Sequence, residues 1–165
     1  MSFLPNRNLV LVVDDDAAML NGVKRLLRQH DYETILFSSA KAFKNHTDFE
    51  CAVCVILDIN LNDGSGIELR HRLKADGISV PVIYMTGNED PAVRNAAVGS
   101  GCIAFLTKPF SAQSLIESLK KASAGEHLVS QIDHNSSRPR DLALSDPSKM
   151  LPEAINSAFG PRRRR

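Results

Sequence analysis

Four polar segments in this chain each follow directly on an apolar run. Leu9-Val10-Leu11-Val12-Val13 leads into Asp14-Asp15-Asp16, and Cys51–Leu57 leads into Asp58. Val80–Met85 leads into Thr86, and Ile103–Leu106 into Thr107-Lys108-Pro109. A single acid after a strand is commonly no more than a helix cap. Carboxylates, a hydroxyl and an ammonium at four strand ends point instead to one shared crevice. Clustered carboxylates repel, and one of their pKa values must rise unless a cation neutralises them. A hard divalent ion with oxygen ligands is the natural partner, and Mg²⁺ typically takes one or two carboxylates with waters and phosphate oxygens. With the charge so neutralised, an Asp carboxylate can attack phosphorus and form an aspartyl-phosphate. Mg²⁺, Lys108 and the Thr86 hydroxyl would supply the positioning and charge stabilisation that such a transfer needs. No histidine is required, and the five histidines are scattered without metal-ligand spacing.

The elements that must position these groups alternate along the first 125 residues. Strands are expected over Leu9–Val13, Tyr32–Phe37, Cys51–Leu57, Val80–Met85 and Ile103–Leu106, with Pro81 tolerable near the start of the fourth. Leu20, Val23 and Leu27 recur at helical spacing up to about Gln29, and Ser38 or Ser39 can cap a short helix through Lys44. Further helices are expected around Gly66–Ala75 and from Asp90-Pro91 to about Val98, with Gly99 and Gly101 as stop signals. Ser111 caps a last helix in which Leu115, Leu119 and Ala122 share a face. Apolar strands alternating with helices imply a doubly wound α/β fold around a parallel sheet buried on both faces. In such folds function collects at the carboxyl ends of the strands, where the four polar segments stand.

Val12-Val13-Asp14-Asp15, Val55-Ile56-Leu57-Asp58, Tyr84-Met85-Thr86-Gly87 and Phe105-Leu106-Thr107-Lys108-Pro109-Phe110 occur in a fixed order over about residues 7–124. In that order the chain resembles the receiver domain of two-component response regulators, and the last segment is especially similar to receivers of the nitrogen-fixation and nodulation type. The resemblance implies a flavodoxin-like (βα)5 fold with strand order 2-1-3-4-5. It implies that Asp58 accepts a phosphoryl group from a sensor histidine kinase or a histidine phosphotransfer protein. Asp15, Asp58 and the backbone carbonyl of Asn60 would ligate Mg²⁺ directly, and Asp14 would act mainly through a metal-bound water. Thr86 and Lys108 would contact the phosphoryl oxygens, and Phe105 would be the aromatic switch, working through packing because it lacks a hydroxyl. The Lys108-Pro109 bond would be cis, an isomer credible only before proline. The resemblance also implies no enzyme activity beyond the protein's own phosphorylation and dephosphorylation. Two departures stand out. Asn62 occupies a position where many members of the family carry proline, and Asn60 and Asn88 stand where the family tunes the lifetime of the phosphorylated state.

Residues 1–125 carry 13 basic and 14 acidic side chains, and residues 126–165 carry 7 and 5 with four of the eight prolines. The first part reads as the receiver. The second reads as a mostly irregular tail with a short helix near Pro152–Phe159 and without an output domain. Output would then pass through the surface of the fourth helix, fifth strand and fifth helix, to a downstream protein partner or into a phosphorylation-dependent homodimer. A phosphoryl relay or sink is the alternative. No direct DNA binding is expected, and Arg162–Arg165 reads as a solvated terminus. No apolar run approaches the roughly 20 residues of a membrane span, and nothing at the start has the form of a signal peptide, so a cytoplasmic location is expected. Cys51, Cys54 and Cys102 read as reduced, buried core residues. Asp16 reads as a first-turn helix acid, and Asp63-Gly64-Ser65-Gly66 as a turn opening a helix. A haloacid dehalogenase-type phosphatase would need a nucleophile on the first strand and a threonine after its D-x-D, which Asp14-Asp15-Asp16-Ala17-Ala18 lacks. A flavin mononucleotide binder would need a Ser/Thr/Gly-rich phosphate loop where three acids stand.

Overall fold

The computed structural model describes residues 8–125. The tail, its expected helix near Pro152–Phe159 and Arg162–Arg165 lie outside the described residues. Strand β1 (Leu9–Val13) is wholly apolar and leads into α1 (Ala17–Gln29), which buries Leu20, Val23 and Leu27. Asp16 is not in the first turn of α1. It is the cap itself, its carboxylate accepting from the backbone N–H groups of Ala18 and Met19. Strand β2 (Glu33–Phe37) follows, then α2 (Ala40–Lys44), whose cap is Ser39. Strand β3 (Ala52–Asp58) is buried along its whole length. After it come two short strands, β4 (Asn60–Leu61) and β5 (Gly64–Ser65), which pair as an antiparallel ribbon. Then follow α3 (Gly66–Ala75), β6 (Val82–Thr86), α4 (Pro91–Ser100), β7 (Ala104–Thr107) and α5 (Ala112–Ser123).

The main sheet has the order β2-β1-β3-β6-β7, every pair parallel. Because the ribbon lies outside it, this is the expected 2-1-3-4-5 arrangement of the five long strands. Residues alternate between two cores, as a period of two requires. Leu11, Val13, Val55, Leu57, Val82 and Tyr84 pack with residues of α2, α3 and α4. Val10, Val12, Cys54, Ile56, Ile83 and Met85 pack with α1 and α5. Burying each such aliphatic side chain contributes roughly 2 kcal/mol, so the two layers hold the strand ends rigidly. Register aligns those ends: Val13 pairs with Leu57, Asp58 with Met85, and Thr86 with Thr107.

Several expectations are corrected. The edge strands are not buried on both faces: β2 alternates exposed and half-buried residues from Glu33 to Leu36 and buries Phe37 alone, and β7 is half-buried throughout. Strand β6 begins at Val82 and not Val80, because Pro81 has no N–H to give the ladder. The Pro81 carbonyl instead accepts from Val55 N at 2.9 Å. Gly99 does not stop α4, which runs on to Ser100; Gly101 ends it with φ 91°. Ser100 is held there by its hydroxyl, which lies 2.6 Å from the Tyr84 hydroxyl and donates to Ala97 O at 2.7 Å. Cys51 is exposed, in the turn before β3, whereas Cys54 and Cys102 are buried. Burial pushes the thiol of Cys102 up to about 11 and that of Cys54 further, so both stay protonated and unreactive. No described helix is long and apolar enough to cross a membrane.

Candidate functional site

At the carboxyl end of the sheet the four polar segments meet. Asp14, fully buried, accepts from the backbone N–H of Asp16 on Oδ1 at 2.8 Å and from Lys108 Nζ on Oδ2 at 2.8 Å. Asp58, 5% exposed, accepts from Asn60 N on Oδ1 at 3.1 Å and from Lys108 Nζ on Oδ2 at 3.2 Å. One ammonium therefore bridges two carboxylates from β1 and β3. Lys108 is aimed there by its backbone, whose N–H donates to Thr86 O at 2.7 Å, and the Lys108–Pro109 peptide that follows is cis. Thr86 is fully buried, and its hydroxyl accepts from Asn88 N at 3.0 Å and from the Asn60 side-chain amide at 3.3 Å. Asp15 is half-buried, and its Oδ2 accepts from Asn62 N at 2.7 Å. Phe105 is half-buried on β7, with the Arg94 guanidinium 5.0 Å from its ring centre.

The charges are not balanced. Burial pushes the Asp58 carboxyl up to about 6, the neighbouring Asp14 charge adds to this, and Lys108 opposes it. For Lys108 itself, burial favours the neutral amine, but the hydrogen bond to Asp14 and the charges of Asp58 and Asp14 outweigh it and raise its pKa. Asp14, Asp15 and Asp58 each offer an oxygen within 4.8 Å of the others. Three close carboxylates with a single ammonium leave an excess of negative charge facing a site of oxygen donors. That donor set suits a hard divalent cation and excludes a soft one.

Local backbone explains why the Asp58 carboxylate sits where it does. Gly66 opens α3 so close to β3 that a Cβ on it would stand 2.4 Å from the Asp58 carbonyl oxygen, and no side chain fits there. The Gly66 N–H donates to Ile59 O at 3.0 Å, closing the ribbon beneath Asp58. The roles of Asn62 and Asp63 are not visible in the sequence. The Asn62 N–H reaches Asp15, and the Asp63 carboxylate accepts from Ala40 N at 2.8 Å and Lys41 N at 2.9 Å, the first amides of α2. Those two backbone bonds hold the Asp63 carboxyl below its usual range. Nothing in the local pattern of Asn62-Asp63 marks either role, because both partners are distant in the chain. A cavity of about 590 Å³, lined by Phe49, Val53, Ile78, Val80, Pro81 and Ala122 among others, opens at the opposite end of the sheet and holds none of these groups.

Residues 10–120 match the response regulator receiver domain family. The response regulator protein TodT of Pseudomonas putida is 30% identical over 115 residues, which cover 70% of this chain and 51% of TodT. The transcriptional regulatory protein FixJ of Bradyrhizobium diazoefficiens is 34% identical over 113 residues, covering 68% of this chain and 55% of FixJ. The chain thus spans about half the length of the curated relatives it matches. Among solved structures, a response regulator receiver protein from Pseudoalteromonas atlantica has a TM-score of 0.67 at 25% identity, covering 71% of this chain and 98% of that one. Full-length FixJ from B. japonicum has a TM-score of 0.61 at 32% identity, covering 70% and 59%.

Proposed function

The chain belongs to the response regulator receiver family of two-component systems, and on that premise we propose that Asp58 accepts a phosphoryl group from a histidine kinase or a histidine phosphotransfer protein in a Mg²⁺-dependent reaction. The single observation that carries this reading is Lys108 bridging Asp14 and Asp58, with the Thr86 backbone holding Lys108 in place. In the transfer, an Asp58 carboxylate oxygen forms a bond to phosphorus as the donor's phosphorus–nitrogen bond breaks, and the imidazole leaves with that electron pair. Asp15, Asp58 and the Asn60 carbonyl would hold Mg²⁺, with Asp14 contributing through a water, and the ion would supply charge neutralisation for the incoming phosphoryl oxygens. Lys108 keeps its bond to Asp14 and turns its other N–H groups toward the transferred oxygens. The Thr86 hydroxyl, which accepts from Asn60 and Asn88, still has its own hydrogen to donate to a phosphoryl oxygen.

Drawing Thr86 toward the acceptor alters the space beside β7, where Phe105 packs under Arg94. Phosphorylation thereby biases a two-state equilibrium at the surface formed by α4, β7 and α5. That surface is our candidate for recognition of a downstream protein or of a second phosphorylated copy. TodT and FixJ are about twice as long as the regions matched in them, and the proposal covers the receiver part, acting in the cytoplasm.

Acetyl phosphate offers a direct test. With Mg²⁺ it is expected to place one phosphoryl group on the protein, and removing the ion with EDTA is expected to reduce labelling to background, read by intact mass. Equal labelling with and without the ion would contradict the reading.

A further inference from the structure

The tip of the β4–β5 ribbon, Asn62-Asp63, is tied at both residues. Asn62 N donates to Asp15 Oδ2 at 2.7 Å, a short charge-assisted bond across 47 positions of sequence. Asp63 spends both carboxylate oxygens on the first two amides of α2, at 2.8 and 2.9 Å. Gly64 adds a close approach, since a Cβ on it would stand 3.2 Å from the Ala40 Cβ. The ribbon's base is tied too, with Asn60 N on Asp58 Oδ1 and the Asn60 side chain on the Thr86 hydroxyl.

These bonds have an unequal distribution of freedom. Asp14 and Asp58 are buried and each is held on both oxygens. Asp15 is half-buried, and among the described residues its other oxygen, Oδ1, accepts no hydrogen bond. Among the described residues the one hydrogen bond that restrains its rotation comes from a backbone N–H, and proline, which has none, could not supply it.

We propose that the Asn62-Asp63 tip is a positioning device for the metal site. The Asn62 N–H fixes the Asp15 carboxylate so that its free oxygen faces Asp14 and Asp58, and Asp63 holds Asn62 in reach by anchoring the tip on α2. The proposal rests on the reading of Asp15 as a metal ligand. It makes two residues that touch neither the ion nor the phosphoryl group determinants of Mg²⁺ affinity. Outer partners that orient a ligating carboxylate typically change affinity by tenfold or more.

The test is Mg²⁺ affinity by calorimetric titration of the full chain, set beside the melting temperature without the ion. Asn62→Ala keeps the N–H and is expected to bind like the wild type. Asn62→Pro removes it, and the affinity is expected to fall about tenfold. The turn favours such a replacement: the tip is a two-residue connection between paired strands, neither residue has positive φ, and the preceding Leu61 is extended. Asp63→Ala gives a second arm, with weaker Mg²⁺ binding expected. Ser39→Ala, which removes the other side-chain cap of α2, is expected to lower the melting temperature and leave Mg²⁺ affinity unchanged. A merely structural role for the tip would make Asp63→Ala behave like Ser39→Ala, and that would overturn the proposal. So would equal affinities for Asn62→Pro and Asn62→Ala while the wild type binds. A wild type without Mg²⁺ binding would overturn the reading of Asp15 as well.

Discussion

Replacing Lys108 with alanine is expected to destabilise the metal-free protein by about 2–3 kcal/mol near neutral pH. Removing one member of a buried ionic cluster costs more than the cluster's net worth, because the remaining charges keep their desolvation penalty. Here the residues left behind are Asp14, fully buried, and Asp58, 5% exposed, both of which lose their shared cation. Lys108 retains some contact with solvent, with a fifth of its side chain exposed, which keeps the effect below that of a fully enclosed pair. For a domain of this size the loss corresponds to a fall in melting temperature on the order of 10 °C. Two companion measurements identify the cause as charge. Lowering the pH from 8 to 5 is expected to shrink the difference, since Asp58 then takes up a proton in the variant. Adding Mg²⁺ is expected to rescue Lys108→Ala more than it raises the wild type. A difference independent of both would mean that Lys108 acts through its aliphatic stem and not its charge.

The second large effect has the opposite sign. Asp58→Asn is expected to abolish phosphoryl transfer and also to make the metal-free protein more stable. Burial and Asp14 push the Asp58 carboxyl up to about 6, from an ordinary value of 3.8. Between these values the folded chain holds a proton that the unfolded chain has lost, so stability declines as pH rises through that window and is level above it. Asparagine carries no such charge. Its advantage is therefore expected to be near zero below pH 4, to grow between pH 4 and 6, and to settle at about 1–2 kcal/mol above pH 7 once solvent screening is allowed for. Thermal melts of both proteins at pH 4 and pH 8 in EDTA would read it. A constant difference at both pH values would place the cause in shape and not in ionisation. A site more stable without its reacting group is the expected signature of a charge kept for chemistry.

Much of this architecture was legible because strand ends in a parallel sheet have one address. The apolar runs before Asp14, Asp58, Thr86 and Lys108 named both the strands and the edge at which those residues emerge. The parts that escaped lack a local period. Two-residue strands such as β4 and β5 are too short for alternation to register, so part of the ribbon read as a turn opening a helix. Asp63 read as a turn residue because its partners, Ala40 and Lys41, lie more than 20 positions earlier. The exposure of Cys51 and of one face of β2 depends on where the sheet stops, which an apolar run alone does not mark. Gly99 misled for a related reason. A glycine signals a helix end only where the backbone turns left-handed, and at this end Gly101 does so.

One carboxylate, that of Asp58, is proposed to receive the phosphoryl group. The most direct measurement labels the wild-type chain with acetyl phosphate and Mg²⁺, reduces the acyl phosphate with borohydride, and locates the resulting homoserine by peptide mass spectrometry. Homoserine is expected at position 58 and at neither 14 nor 15, with no product from Asp58→Asn. Homoserine at another aspartate in the wild-type chain would contradict it.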